Sequence, residues 1–204
     1  LPRMVELKRR YGFRILVDDA HGIGVMGAGG RGTAEHFGMD DEADLVMGTF
    51  SKSFASLGGV VAGSEQVIHY IQHHARSLIF SASMPPANVA TVLACLDIVE
   101  QEPERRARLW ANARRMREGL GALGFDTGRS ASPVIPVVLG DDALTFAFWK
   151  ALFEADVYVN PIVTPATTPD RALLRTSYMA PPSDEELDRV LDAFAKVGKK
   201  LGVI

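Results

Sequence analysis

The stretch Gly48-Thr49-Phe50-Ser51-Lys52-Ser53 is the part of this chain that says most about its fold. Its lysine stands between an apolar run, residues 45–48, and a run of small residues, 55–59. An isolated surface lysine rarely has such neighbours. Hydroxyl groups at Thr49, Ser51 and Ser53 surround the amine, and together they form a candidate site for an anion such as a phosphate.

A second polar group lies upstream, where an apolar run ends. Arg14-Ile15-Leu16-Val17 reads as a buried strand, and Asp18-Asp19-Ala20-His21 follows it directly. Ligands of open α/β sheets gather at the C-terminal ends of strands. A lysine amine, a strand-end carboxylate, a histidine and a hydroxyl cluster are what pyridoxal 5′-phosphate (PLP) chemistry uses, with the amine as a Schiff base and the carboxylate facing the pyridinium nitrogen. The alternative interpretation of Asp18, Asp19 and His21 is a solvated turn.

Composition excludes several other classes of protein. The chain has 204 residues, 47% apolar and 23% charged, which is typical of a soluble globular protein. A net charge of −3 gives no general attraction to nucleic acid or to an anionic membrane. No apolar stretch approaches the roughly 20 residues that span a bilayer. Cys95, the single cysteine, lies in an apolar run and predicts a small core residue; with no internal disulfide, we expect a cytoplasmic location.

Hydrophobic periodicity predicts two α/β units that meet near residue 100, so we assign residues 1–99 to one domain and 100–204 to another. Predicted strands cover residues 13–17, 43–47, 59–63, 78–80, 134–139, 157–159 and 172–178. Predicted helices cover residues 64–74, 85–100, 104–123 and 144–154, and a last helix opens at Ser183 with Glu186 completing a capping box. The first strand, a continuous apolar run, is expected to be buried on both faces.

Gly22-Ile23-Gly24-Val25-Met26-Gly27 matches the G-x-G-x-x-G dinucleotide fingerprint after a strand. We reject that interpretation because the fingerprint needs a helix that opens on those glycines. The chain continues instead as Ala28-Gly29-Gly30-Arg31-Gly32, which does not start a stable helix.

Three further patterns have an ordinary and a functional interpretation. His69 and His73 have i, i+4 spacing, but without an acidic or cysteine ligand nearby we predict no metal site. Six arginines between residues 105 and 117 are predicted to form a solvated helix face, with nucleic acid as the minority alternative. Arg175 lies in an apolar strand and must be paired. Its partner is either an internal carboxylate or the carboxylate of a substrate.

Taken together these stretches resemble the C-terminal half of an α-oxoamine synthase, a PLP-dependent transferase of fold type I. The matching segments occur in family order and cover nearly the whole chain: residues 17–22, 29–32, 48–53, 58–59, 79–86 and 173–177. The resemblance implies part of the large-domain sheet in residues 1–99 and a smaller C-terminal α/β domain in residues 100–204. It is strongest to the serine palmitoyltransferase group of sphingolipid biosynthesis. The 8-amino-7-oxononanoate synthase group, which uses alanine in the biotin pathway, is the alternative.

The resemblance also implies roles for individual residues. Lys52 would hold PLP as a Schiff base and later move the Cα proton. Asp18 would pair with the pyridinium nitrogen, and His21 would hydrogen-bond the phenolic oxygen. Thr49 and Ser51 would contact the phosphate. A carboxylate that faces the ring nitrogen favours its protonated form, which makes the ring an electron sink.

Other implied roles involve a second subunit and the substrates. Ser81 and Ala82 match a segment that reaches the phosphate of the partner subunit's cofactor, which implies a homodimer with shared sites. Arg175 would hold the carboxylate of the amino acid. The implied reaction condenses an amino acid, expected to be serine, with an acyl-CoA or acyl-carrier thioester and releases carbon dioxide.

The chain departs from the family pattern in several places. The proline-rich loop begins Val163-Thr164-Pro165 where the family often has Arg-Pro-Pro, and Pro181 replaces a histidine. The family's ring-stacking histidine and glycine-rich phosphate turn are not in these residues, so we expect the fragment alone to be inactive. A non-catalytic partner subunit is a further alternative, against which the presence of Lys52 argues.

Overall fold

The computed structural model describes residues 1–204, which contain both helices and strands. The helices are α1 (Pro2–Tyr11), α2 (Thr33–His36), α3 (Glu65–His74), α4 (Arg76–Ile79), α5 (Pro86–Gln101), α6 (Pro103–Ala122), α7 (Asp142–Phe153) and α8 (Asp184–Lys200). The strands are β1 (Leu16–Asp18), β2 (Leu45–Thr49), β3 (Gly59–Gly63), β4 (Val134–Gly140), β5 (Asn160–Ile162) and β6 (Ala172–Ser177). The predicted α/β class is therefore confirmed. No helix is both long enough and apolar enough to cross a membrane.

The chain divides into two units, Leu1–Arg106 and Ala107–Ile204, each with its own three-stranded sheet. In unit 1 the strand order is β1-β2-β3. Strands β1 and β2 are parallel, with Asp18 opposite Met47, whereas β3 runs antiparallel to β2, with Gly59 opposite Thr49. The assignment of residues 1–99 and 100–204 to a large and a small domain stays a prediction.

Unit 2 has an antiparallel sheet of order β4-β6-β5. Its outer strands place Pro136 opposite Arg175 and Pro161 opposite Leu174. Helices α7 and α8 and the unit 2 part of α6 supply the other layer, and their fully buried side chains include Met116, Leu120, Phe148 and Phe194. The predicted capping box opens α8, because Ser183 Oγ accepts from Glu186 N at 3.2 Å and Glu186 Oε2 accepts from Ser183 N at 2.8 Å.

Three predicted strands differ from the structure. Residues 78–80 are not a strand: Ile79 N donates to Ala75 O and Phe80 N to Arg76 O, each at 3.0 Å, so local bonds form the short helix α4. A short apolar run does not distinguish a strand from a buried turn of helix. Strand β1 is shorter than predicted and is not buried on both faces, since Leu16 is 58% exposed. The predicted strand at 157–159 lies three residues too early, although Val157 and Val159 are both in the core.

Candidate active site

Two strand ends and the loops that follow them form the candidate site of unit 1. Because β1 and β2 are parallel, their C-terminal ends lie at the same edge of the sheet. Asp18 ends β1 and Thr49 ends β2. The Asp18 side chain is exposed, and its Oδ1 accepts from Ala20 N at 3.1 Å. His21, also exposed, follows in the next turn.

The loop after β2, residues 50–58, carries Lys52 and is called the lysine loop below. Thr49 Oγ1 lies 3.0 Å from Ser51 Oγ and donates to Gly58 O at 3.3 Å. Of the three predicted hydroxyls, those of Thr49 and Ser51 form a pair and Ser53 is exposed separately, so anion binding at this strand end stays a prediction. Lys52 is also exposed. The ion pairs of unit 1 occupy other cations, namely Lys8, Arg9, Arg14, Arg31 and Arg105, so its amine is not committed to a carboxylate.

Several contacts hold the lysine loop against the residues on which it packs. Phe54 is 4% exposed and packs edge-on against Phe50, with ring centroids 5.4 Å apart. The thiol of Cys95 donates to Phe54 O at 3.4 Å. Ser56 Oγ donates to Asn88 O at 3.0 Å, so the loop is fastened to helix α5 at two points. The exposed Lys52 is thus attached to a backbone segment that several contacts hold in place, as a precisely positioned amine requires.

Asp19 has a structural role that its sequence position did not reveal. The side chain is 3% exposed, and its two oxygens accept from Thr33 N at 2.7 Å and from Thr33 Oγ1 at 2.6 Å. It therefore caps helix α2, whose own N-cap residue, Gly32, has no side chain. A Cβ atom at Gly22 or Gly32 would lie 1.8 Å or 2.0 Å from this carboxylate, so both positions need glycine.

The segment between them, residues 22–32, is called the glycine loop, and two further charged groups hold it. Glu35 accepts from Gly29 N at 2.9 Å and from Arg31 N at 2.8 Å. Burial acts to raise the pKa of Glu35, but these amide hydrogen bonds and the charges of Arg31 and Arg106 outweigh it and lower the pKa. Arg106 Nη2 donates to Ala28 O at 2.8 Å, and Arg106 Nη1 donates to Val99 O.

The prediction that the arginine-rich segment is a solvated face is wrong for Arg106, which is 9% exposed. Its carbonyl partner Ala28 is distant in sequence, so no local pattern could reveal the contact. Arg108 and Arg115 are instead paired on the protein surface, to Asp184 and Asp188 respectively, at 2.6 Å. These ion pairs occupy guanidinium N–H groups that would otherwise be available to bind the phosphates of a nucleic acid.

The glycine loop lacks the helix start that the dinucleotide fingerprint requires. No helix opens on Gly22–Gly27, and α2 begins only at Thr33. The histidine pair is likewise engaged locally: His73 Nδ1 lies 2.8 Å from His69 O. No group of three or more His, Cys, Asp or Glu side chains is arranged to hold a metal ion.

Comparison with known proteins identifies the family of this chain. The family model for aminotransferases of class I and II matches residues 1–194. The chain belongs to this family. It is 49% identical over 199 residues to a serine palmitoyltransferase of Bacteriovorax stolpii, covering 98% of this chain and 47% of that protein. It is 43% identical over 204 residues to an 8-amino-7-oxononanoate synthase of Thermosipho melanesiensis, covering 100% and 52%.

The fold agrees with that of solved members of the same group. A structure of SPT with the PLP internal aldimine matches with a TM-score of 0.93 at 37% identity, over 98% of this chain and 51% of that one. This agreement confirms the predicted resemblance to α-oxoamine synthases of fold type I. The chain spans about half the length of the curated relatives it matches.

Within this aminotransferase-family chain, the residues singled out from the sequence fall into two sets. Asp18, His21, Thr49, Ser51 and Lys52 lie at, or directly after, the two neighbouring strand ends of unit 1.

The second set lies elsewhere in the two units. Ser81 and Ala82 are exposed and follow helix α4. Arg175 is half-buried on β6 of unit 2, between Pro136 and Asn160 of the flanking strands.

Proposed function

We propose that these residues contribute the lysine-bearing part of a PLP-dependent α-oxoamine synthase. The observation that carries the proposal is Lys52 on an anchored loop, at the same sheet edge as the Asp18 carboxylate. The relatives named serine palmitoyltransferase and the solved SPT structure with PLP support it.

The side chains present fit PLP in three respects. Its phosphate needs hydroxyl or amide donors, and Thr49 and Ser51 offer an exposed pair 3.0 Å apart. Its ring nitrogen needs an anionic partner, and Asp18 is an exposed carboxylate at the same edge. Its aldehyde needs a primary amine that no ion pair consumes, which Lys52 supplies.

Bound PLP supplies an electron-accepting ring that stabilises negative charge on the α carbon of an amino acid. Asp18 holds a proton on the ring nitrogen, since a neighbouring anion favours the protonated form. The amine of Lys52 accepts the Cα proton as a general base. His21 donates to the phenolic oxygen, and Thr49 and Ser51 orient the phosphate.

The proposed reaction joins the α carbon of the amino acid to the carbonyl carbon of an acyl-CoA or acyl-carrier thioester. The thiol leaves, the amino-acid carboxyl departs as carbon dioxide, and the α carbon takes up a proton to give an α-amino ketone. Arg175 binds the carboxylate before it is lost, because guanidinium and carboxylate form two parallel hydrogen bonds. Serine is the proposed amino acid, since three of the most similar relatives are serine palmitoyltransferases.

Lys52 can be tested by chemical trapping in the full-length protein. Reduction with borohydride followed by peptide mapping should place a pyridoxyl group on Lys52. Lys52→Arg should abolish the label while keeping the positive charge. Lys150→Arg is the matched control, because Lys150 is 74% exposed and pairs only with Glu154, the residue that follows its helix α7. A label on another lysine of the wild-type protein would contradict the assignment.

A product assay tests the substrate. Full-length protein offered serine, alanine and glycine against short and long acyl thioesters should release the most product from serine and a long chain. Preference for alanine would favour the second candidate, 8-amino-7-oxononanoate synthase, which the 43% identical relative supports. Absence of any product from a protein that holds PLP would instead favour a non-catalytic subunit.

We also propose a cytoplasmic homodimer with shared sites, in which Ser81 and Ala82 approach the cofactor of the partner subunit. Leu78, Ile79 and Phe80, beside them, are 53%, 49% and 78% exposed, and a contiguous apolar patch of this kind is typical of a surface that another protein chain covers. The Lys52→Ala variant should be inactive as a homodimer, and so should the Ser81→Arg variant. A mixed dimer of the two has one intact site, so random mixing should restore about a quarter of wild-type activity. No recovery after subunit exchange would refute sharing.

A further inference from the structure

The glycine loop approaches the lysine loop closely between Gly24 and Ser53. Gly24 has φ +82°, and a Cβ atom built on it would lie 2.8 Å from Ser53 Cβ and 3.2 Å from Ser53 Oγ. Carbon atoms in real proteins do not approach that closely without displacement. Ser53 is bonded directly to Lys52, so any such displacement reaches the amine-bearing residue.

The glycine loop cannot move away from this contact easily. It is cross-linked internally, since Gly24 N donates to Gly30 O at 2.7 Å. Asp19, Glu35 and Arg106 hold it from outside through the hydrogen bonds described above. Opening the loop would leave buried donors and charges without partners.

The lysine loop is held at several points that follow Ser53 in the chain. Beneath it, Phe54 is buried and Ser56 is bonded to Asn88. At its far end, a Cβ on Gly58 would lie 2.5 Å from the sulfur of Met84, so this side is also filled. Ser53 is exposed and can therefore be displaced toward solvent, while the residues after it stay in place.

We propose that Gly24 is a positioning residue for Lys52: its missing side chain sets how closely the glycine loop supports Ser53, and so where the lysine amine stands. This inference rests on the proposed function, because it concerns the same amine. A methyl group at position 24 must push Ser53 outward by several tenths of an ångström. Misplacement of a catalytic group by about 1 Å can lower a rate about a hundredfold.

Gly24→Ala in the full-length protein is the first test. We expect PLP to bind at least tenfold more weakly in a titration of the apo-protein, with a matching loss of borohydride-trapped label on Lys52. We expect kcat to fall ten- to a hundredfold, with the KM for the amino acid changed less than threefold. Weaker trapping reports the amine directly, without turnover.

The chain supplies matched controls for the backbone strain. Gly12 (φ +73°) and Gly38 (φ +62°) share the left-handed conformation of Gly24, yet a Cβ on either meets nothing within 4 Å. Gly12→Ala and Gly38→Ala carry the backbone strain without the steric clash, so they should lower the melting temperature less than Gly24→Ala and leave PLP affinity within twofold. Equal PLP affinity in all three variants would overturn the proposal.

Two changes at Ser53 test the same contact from the other side, and they cover the case in which Gly24→Ala does not fold. Ser53→Val enlarges the side chain without left-handed strain, and Ser53→Ala is its reference because both lack the hydroxyl. Ser53→Val should bind PLP at least fivefold more weakly than Ser53→Ala. In the Gly24→Ala background, Ser53→Gly removes the opposing Cβ and should recover most of the lost affinity.

These experiments distinguish failure of the proposed function from failure of the positioning role of Gly24. A wild-type protein that carries no label on Lys52 would refute the proposed function itself. A labelled wild type with Ser53→Val equal to Ser53→Ala, or with no recovery in the double variant, would refute only the positioning role of Gly24.

Discussion

Two adjacent carboxylates should respond to substitution in opposite ways. Asp19 is 3% exposed and accepts two hydrogen bonds from Thr33, at 2.7 Å and 2.6 Å. Asp18 is exposed and accepts one bond at 3.1 Å from Ala20 N. We therefore expect Asp19→Ala to reduce the free energy of unfolding, and Asp18→Asn to reduce catalysis while leaving stability almost unchanged.

The size of the effect follows from the hydrogen bonds that each substitution removes. A hydrogen bond to a charged group contributes about 1.5–3 kcal/mol, so the two bonds of Asp19 sum to about 3–6 kcal/mol. Thr33 is half-buried, and water can replace part of this bonding, so we expect about 3 kcal/mol for Asp19→Ala. Asp18→Asn, an exposed change, should stay within about 0.5 kcal/mol.

Urea denaturation of the full-length apo-protein, followed by circular dichroism, measures both stabilities without a contribution from bound cofactor. Thr33→Val is the matched partner, and the double variant with Asp19→Ala should show a coupling of about 0.5–3 kcal/mol. Exchange of a deuterated amino acid, followed by NMR, measures Cα-proton removal. Asp18→Asn should lose most of this exchange because the ring nitrogen loses its anionic partner.

Either of two results would refute this reasoning. If Asp19→Ala unfolds within about 1 kcal/mol of the wild type, the Thr33 hydrogen bonds do not hold the loop as described. If Asp18→Asn exchanges the Cα proton at the normal rate, its carboxylate does not control the ring nitrogen.

Three other predictions follow from single side chains. Arg175→Ala should weaken amino-acid binding about ten- to a hundredfold in a spectral titration, and unchanged affinity would make Arg175 a structural ion pair. The hydrogen bonds from Lys8 and from Ile15 N hold the pKa of Asp44 below its ordinary value. The stability they provide is present above about pH 4 and lost as the pH falls further, so Asp44→Asn should destabilise at pH 7 but match the wild type at low pH in urea denaturation. Ala55 has φ +47°, so Ala55→Gly should raise stability by up to about 1 kcal/mol, and a melting temperature below that of the wild type would contradict this.

Local chemistry in the sequence predicted part of this fold well. The strand Gly59–Gly63 has the predicted bounds, and the capping box at Ser183 is present with both of its hydrogen bonds. Such features depend on residues a few positions apart. The short helix Arg76–Ile79 was missed because its apolar residues carry no period that separates a helix from a strand.

The supports of the candidate site were not predictable in this way. Asp19 reaches Thr33, and Arg106 reaches Ala28, which is 78 positions away. A buried carboxylate and a buried guanidinium look, in sequence, like ordinary members of a turn and of a charged helix. The predicted roles of Lys52 and its neighbours stay predictions, since they concern a cofactor.

The two prolines of the unit 2 sheet affect its self-association. Pro136 lies in outer strand β4 and Pro161 in outer strand β5, whereas the central strand β6 has none. Proline has no N–H to donate, so each outer strand is a poor template for an added strand. Val138 of β4 is also occupied by a bridge to Asp126. Both outer strands of this sheet therefore disfavour the addition of a further strand, so the unit 2 sheet should resist edge-to-edge association.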